Sequence, residues 1–159
     1  MQRQIVFIPV GSAELGAFDG SPAILNRRAY TVTPDLLTEL GYEPSATEDA
    51  EYAALVLASV AGLAEFGERT VIVAEVTADL IAPGEDSANG ECLLLSCPTA
   101  AMTSWFCDAP GVDVTAAARA AKGCSIDQAW EIAEVQELLN AHDLLWNDVA
   151  EYRRGLIPG

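Results

Sequence analysis

The amino-acid sequence predicts the α+β fold class, with a single mixed β-sheet of about four to six strands packed with helices. The run Thr70–Val76 contains consecutive apolar residues, which are typical of a strand covered on both faces. A long helical pattern at Glu48–Phe66 precedes it and contains no proline. Two further apolar runs follow closely at Cys92–Cys97 and Thr103–Cys107. Adjacent strands of this kind favour a mixed sheet over a fully parallel one.

The N-terminal part of the chain predicts two strands and a short helix. Ile5–Val10 is apolar and is expected to form a buried strand. Pro9 should lie at a sheet edge or at the strand end, because proline cannot donate a ladder hydrogen bond. Ala29–Val32 alternates weakly and predicts a second strand. Thr33, followed by a proline, is typical of a helix start, and Gly41 is expected to end that helix.

The long helix at Glu48–Phe66 is expected to pack through a wide apolar stripe. Four of its apolar residues recur at helical spacing: Tyr52, Val56, Val60 and Leu63. Ser45 and Glu48 fit a capping box at its start, and Gly67 fits a left-handed residue at its end. After the next strand, Asp79–Gly84 is expected to form a turn.

The C-terminal third predicts mainly helix. A short alanine-rich helix is expected to end near Ala121, and Ser125 with Gln128 repeats the capping-box pattern. The helix that follows is expected to reach about Asn140 and to pack three side chains inward: Ile126, Trp130 and Ala133. No repeat or long linker divides the chain, so residues 1–159 are expected to form a single globular domain.

Composition and charge limit the classes of function. The chain has 159 residues, a hydrophobic share of 51% and a formal net charge of −16. It is expected to avoid nucleic acids and anionic membranes, because their charge would repel it. The charge indicates either plain solubility or a surface that attracts a basic partner or imitates nucleic acid. No apolar run is long enough for a membrane span or a signal peptide, so we expect a cytoplasmic protein.

The glycine-rich turn Gly11–Gly16 is the first candidate site. It follows a predicted strand and opens a helical turn, which is the context that an anion site requires. However, it matches neither a P-loop nor a dinucleotide fingerprint, and Glu14 would repel a phosphate. A plain strand-to-helix turn is the favoured interpretation.

The cysteines are the second candidate. They are spread singly, without the closely spaced pairs that a zinc site needs: Cys92, Cys97, Cys107 and Cys124. The positions of Cys92 and Cys97 differ by an odd number, so their side chains are expected to point to opposite faces of their strand. We expect buried, reduced thiols, no metal site and no cofactor.

His142 is the only histidine and is followed by Asp143. A serine or cysteine nucleophile could recruit this pair for catalysis, although the sequence carries no nucleophile signature. The alternative interpretation is a residue at a helix end that interacts favourably with the helix dipole.

An acidic helix face is the last candidate. Asp127, Glu131 and Glu134 are spaced as neighbours on one helical face, with Glu137 nearby. Like charges at this spacing destabilise a helix slightly. The face could therefore be a binding site for a basic partner or a cation, or simply a solvated surface.

Four segments spread over the chain resemble a family of small, acidic, functionally uncharacterised proteins from actinobacteria. They are Ile5–Val10, Tyr30–Pro34, Glu51–Leu55 and His142–Trp146. The resemblance implies a single domain of unknown function and supplies no catalytic residues. Where that family has an aromatic residue after the tryptophan, this chain has Asn147.

Two hypotheses of function follow. The first is a non-enzymatic protein-binding or regulatory module that binds another protein, for example a basic one, through its acidic face. The second is a small hydrolase or transferase with an unrecognised pocket that uses His142. A homodimer is compatible with either hypothesis.

Overall fold

The computed structural model describes residues 3–14, 24–43 and 45–148. The strands in these ranges are β1 (Arg3–Val10), β2 (Ile24–Tyr30), β3 (Thr70–Thr77), β4 (Ile81–Pro83), β5 (Glu91–Cys97), β6 (Met102–Cys107) and β7 (Leu145–Asp148). The helices are α1 (Pro34–Leu40), α2 (Thr47–Phe66), α3 (Thr115–Ala121), α4 (Ile126–Trp130) and α5 (Ala133–Ala141). The α+β fold with one sheet is therefore confirmed.

The sheet has seven described strands in the order β4-β5-β2-β1-β3-β6-β7, and every pairing is antiparallel. The predicted range of strand numbers was too low, and the prediction of a mixed sheet is wrong. The reason lies in the position of β1. β2 and β3 run in the same direction, but β1 lies between them, so the helical connection through α1 and α2 creates no parallel pair.

The two strands that the sequence pattern missed are the edge strands β4 and β7. They have 3 and 4 residues, which is too short for a period to be recognised. The segment expected to turn at Asp79–Gly84 instead pairs Ile81 with Leu94 of β5. At the other edge, Trp146 pairs with Phe106 of β6.

Pro9 lies opposite Val71 of β3 in the central strand β1, so it is not at a sheet edge, but it is the penultimate residue of the strand and thus lies at its end as expected. The carbonyl oxygen of Pro9 accepts a hydrogen bond from Nη2 of Arg27 at 3.0 Å. Because the nitrogen and carbonyl of a strand residue point to the same side, the missing N–H faces β2 as well. A side chain of β2 thus replaces the ladder hydrogen bonds at this point.

Helix α2 is buried on two sides. Leu55, Ala58 and Ala61 pack with residues of the sheet, whereas Val60 and Leu63 pack with residues of α3, α4 and α5. Gly67 ends the helix with a φ of 76°, as expected. The N-cap residue is Ala46, which makes no side-chain cap bond, so the predicted capping box at Ser45 is wrong.

The single long helix expected after Ser125 is divided in two. The capping box of Ser125 and Gln128 is present, but α4 ends at Trp130 and α5 begins at Ala133. Ile126 is buried as predicted. Trp130 and Ala133 are exposed, so their predicted inward packing is wrong. The break matters because it turns the exposed indole of Trp130 toward the groove described below.

The opposite face of the sheet has a core of its own, made of residues from strands and from the short turns beside them. Cys92 and Cys97 both belong to this core, so the expectation that they face opposite sides is wrong. Asn26, on the neighbouring strand β2, has a φ of +48° and interrupts the ladder opposite Leu95. The regular alternation of buried and less buried residues along β5 is lost at this point. None of the described helices is long and apolar enough to cross a membrane.

Candidate functional site

A groove of about 920 Å³ opens between α1, α2, α4 and α5. Its far wall is the segment that leads from α5 into β7, and β6 contributes Phe106 to its lining. The lining is more apolar than polar. The groove exists because α4 and α5 pack on the second side of α2 and leave the N-terminal half of that helix partly uncovered.

The floor and the rim of the groove differ in exposure. Leu36, Leu57 and Ile126 line it from the core shared by α2 and the sheet. Tyr52 and Trp130 also line it, but they are 59% and 39% exposed. Large apolar side chains on a concave surface are typical of interaction sites. The sequence pattern assigned Tyr52 and Trp130 to the core, because a helical period cannot distinguish a core face from a groove face.

Four carboxylates line the groove: Glu39, Asp127, Glu131 and Asp143. The basic groups among its described lining residues are Arg69 and His142. Arg69 is neutralised, because its guanidinium forms an ion pair with Asp108. The rim is therefore acidic around an apolar floor.

Arg69 fixes the far wall of the groove. It is only 3% exposed and holds the carboxylate of Asp108 through two nitrogens. Its Nη2 also donates to the backbone oxygen of His142 at 3.0 Å. One buried guanidinium thus connects the start of β3, the end of β6 and the segment before β7.

The near wall is the turn Ser87–Asn89, which several hydrogen bonds hold in place. Nδ2 of Asn89 donates to Asp86 at 2.8 Å and to Oδ1 of Asp127 at 3.1 Å. Thr33, the N-cap of α1, donates its hydroxyl to the backbone oxygen of Ser87 at 2.6 Å. The wall is consequently tied to both α1 and α4.

His142 and Asp143 both line the groove, so the predicted pair does lie at a concave surface. Both side chains are exposed, and the structure gives the His142 ring no hydrogen bond to any described residue. Among the described residues that line the groove, the serine is Ser59. It is fully buried and donates its hydroxyl to the backbone oxygen of Val56 at 2.6 Å. The groove does not present this serine as a nucleophile.

The predicted acidic face is divided by the helix break. Asp127 and Glu131 line the groove, whereas Glu134 and Glu137 on α5 are exposed and lie outside its lining. The expected helical spacing of the four acids does not exist, since the backbone leaves the helix after Trp130. Two of the four residues therefore belong to the site.

The glycine-rich turn is occupied by the protein's own carboxylates. The amide of Gly11 donates to Glu14 at 2.7 Å, and that of Ser12 donates to Glu68 at 2.7 Å. A hydrogen bond from Arg27 lowers the pKa of Glu14, together with the bond from Gly11 and despite partial burial. In the described part of the turn, the protein's own carboxylates thus bind the backbone amides that an external anion would need.

The cysteines are free thiols, of which Cys92, Cys97 and Cys107 are buried and Cys124 is half-buried. Burial raises the pKa of Cys92 to about 12 and that of Cys97 to about 11. Among the described residues, no cluster of histidine, cysteine and acidic side chains could hold a metal ion.

The fold and the groove together define a class of protein: an α+β domain with one antiparallel sheet and an apolar, acid-rimmed groove on its helical side. Comparison with protein families is more specific. Residues 5–156 match the model of a family of unknown function (DUF6912), and the chain belongs to that family. The predicted membership of a functionally uncharacterised family is confirmed. No curated protein and no solved structure matches the chain.

Proposed function

We propose that the protein is a non-enzymatic binding module whose groove holds a basic, amphipathic segment of a partner protein. The observation that carries this proposal is the combination of an apolar lining with the acidic rim of Glu39, Asp127, Glu131 and Asp143. Apolar side chains of the partner would fill the groove, and its basic side chains would meet the rim.

The size of the groove supports a peptide segment as the occupant. At about 920 Å³ it lies near the upper end of ordinary ligand pockets, which span roughly 300–1,000 Å³. Apolar grooves between helices commonly accept an amphipathic helix through side chains on one of its faces. Tyr52 and Leu40 are exposed apolar residues of the lining and would contact such a helix.

Charge supports a basic occupant over other macromolecules. The net charge of −16 attracts cationic segments at a distance and repels nucleic acids and anionic lipids. A cytoplasmic location and an actinobacterial origin, both expected from composition or resemblance, are parts of this proposal. A homodimer is compatible with it but is not required.

The alternative function is a hydrolase or transferase that uses His142. Its support is that His142 and Asp143 line the groove. Against it stands the burial of Ser59, whose hydroxyl is already used as a donor to Val56. A binding role needs no such nucleophile.

The proposal is tested with a fluorescent amphipathic peptide of leucine and lysine, roughly 14 residues long. We expect saturable binding by fluorescence anisotropy, and a loss of about fivefold or more in affinity for Tyr52→Ala, since exposed aromatic anchors dominate such interfaces. Tyr42→Ala is the matched control, because Tyr42 is an exposed tyrosine outside the groove lining.

Two results would contradict the proposal. One is equal affinity of Tyr52→Ala and Tyr42→Ala, which would place binding elsewhere. The other is equal binding of a lysine–serine peptide of the same charge, which would reduce the effect to non-specific attraction between opposite charges.

A further inference from the structure

We infer that Trp130, Asp127 and Glu131 select an arginine of the partner, whose guanidinium lies on the indole between the two carboxylates. This inference rests on the proposed function, since it names the side chain that the same groove recognises. The three residues are called the α4 corner below. All three line the groove.

The local geometry brings the α4 corner together. Asp127 and Trp130 are three residues apart in α4, so their side chains lie on the same helical face. Glu131 follows Trp130 directly, where the helix ends. An exposed indole and two carboxylates in the lining of one groove offer the two interactions that a guanidinium makes best, stacking on a ring and hydrogen bonding to oxygen.

Neighbouring residues hold the corner in place before a partner arrives. Nδ2 of Asn89 donates to Oδ1 of Asp127 at 3.1 Å. Nε2 of Gln136 donates to the backbone oxygen of Trp130 at 2.8 Å and so fixes the end of α4. Ser125 caps its beginning. Less conformational entropy is lost on binding when the site is already ordered.

The same chemistry already holds a guanidinium elsewhere in this chain. The Arg27 guanidinium lies 5.5 Å from the ring centroid of Phe66 and 2.9 Å from Oε1 of Glu14. At the α4 corner, by contrast, no arginine or lysine of the described ranges forms an ion pair with Asp127 or Glu131. The corner thus offers a ring and carboxylates to a cation from outside the chain.

The inference is tested with three versions of the leucine-based peptide, which carry arginine, lysine or the uncharged arginine analogue citrulline. We expect the wild-type protein to bind the arginine peptide about fivefold more tightly than the citrulline peptide. Trp130→Leu should reduce this preference, and Trp130→Phe should keep most of it. Circular dichroism verifies that each variant is folded.

The charge of the corner is tested against a matched pair of acids. Asp127→Asn with Glu131→Gln should remove most of the preference for arginine over citrulline. Glu134→Gln with Glu137→Gln removes the same charge from α5, outside the groove lining, and should change it less than about twofold.

The outcomes separate this inference from the proposed function. In one outcome, Tyr52→Ala weakens binding while the preference for arginine survives in both Trp130→Leu and the Asp127→Asn, Glu131→Gln variant. That result would overturn the assignment of arginine recognition to the α4 corner and leave the proposed peptide groove intact. Equal affinity for arginine and lysine peptides would overturn the assignment of arginine. If none of the peptides binds, the proposed function and the inference fail together.

Discussion

Arg69 illustrates at the level of single residues how a buried charge shapes the groove. Its side chain is almost fully buried, but Asp108 neutralises it and the oxygen of His142 takes another of its hydrogen bonds. Burial of an unpaired charge is costly, so the pair is stable only as long as both partners are present. The wall formed by residues 142–144 therefore depends on a residue more than 70 positions earlier in the chain.

We expect Arg69→Ala to lower the free energy of unfolding by about 3 kcal/mol, since it leaves Asp108 with a poorly solvated, unpaired charge. Urea denaturation measures the change. Arg28→Ala is the control: Arg28 has a side chain 55% exposed and lies 3.7 Å from Glu91, so its loss should cost less than about 1 kcal/mol. Equal losses in the two variants would show that the Arg69 pair has no special role.

At the level of elements, the short helix α4 is the part of the groove that is least able to stand alone. It spans 5 residues, fewer than an isolated helix needs, and its start depends on the capping box of Ser125 and Gln128. Its other supports are the burial of Ile126 and the contacts of Asn89 and Gln136. The position of Trp130 thus depends on the capping box, on the burial of Ile126 and on the hydrogen bonds of Asn89 and Gln136.

Ser125→Ala should cost about 1 kcal/mol, because the amide of Gln128 loses its acceptor at 3.2 Å. Thermal and urea unfolding both measure this effect. Ser45→Ala tests the correction made to the sequence prediction: Ala46 is the N-cap of α2, so this change should stay within about 0.5 kcal/mol. A larger loss for Ser45→Ala than for Ser125→Ala would contradict the cap assignment.

At the level of the whole molecule, the sheet buries several groups that must stay protonated. Burial raises the pKa of Cys92 from 9.0 to about 12 and that of Cys97 from 9.0 to about 11. It also raises the pKa of Tyr30 from 10.0 to about 12. In each case the folded state binds the proton more tightly than the unfolded state does.

Stability should therefore be level well below pH 9, where the thiols stay protonated in both states, and fall as the pH rises through 9 toward 12, because only the unfolded state then loses the thiol protons. Each buried thiol contributes a slope of at most about 1.4 kcal/mol per pH unit within this window. Urea denaturation under reducing conditions at a series of alkaline pH values measures it. The double variant Cys92→Ala, Cys97→Ala should show a shallower fall, and an unchanged slope would refute the assignment.

Much of the fold could be predicted from the local sequence, because some patterns of apolar residues indicate directly which faces of a segment are buried. Thr70–Val76 lies in a strand with both faces covered, since consecutive apolar side chains leave it no solvated face. Ile81–Pro83 and Leu145–Asp148 gave no such signal, because their strand conformation depends on partners far away in the sequence. Long-range pairing overrides local preference at sheet edges.

The candidate site could be predicted only in part. The sequence indicates four residues of the groove lining as site candidates, on account of their charge or chemistry: Asp127, Glu131, His142 and Asp143. Their neighbours Tyr52 and Trp130 were assigned to the core, since an apolar residue at helical spacing has the same pattern whether it packs inward or lines a groove. The helix ends at Trp130 and the next begins at Ala133, and the helical spacing in the sequence does not indicate this break.

The central position of β1 has a consequence for the order of assembly during synthesis. Arg3–Val10 pairs along its whole length with Thr70–Thr77, so the middle of the sheet cannot close until that later strand has emerged from the ribosome. Pairing over such a distance is slow, because a long loop must be ordered first. Until then β1 can pair with β2 on one side only, and its other edge exposes an unpaired, apolar strand that chaperones would protect.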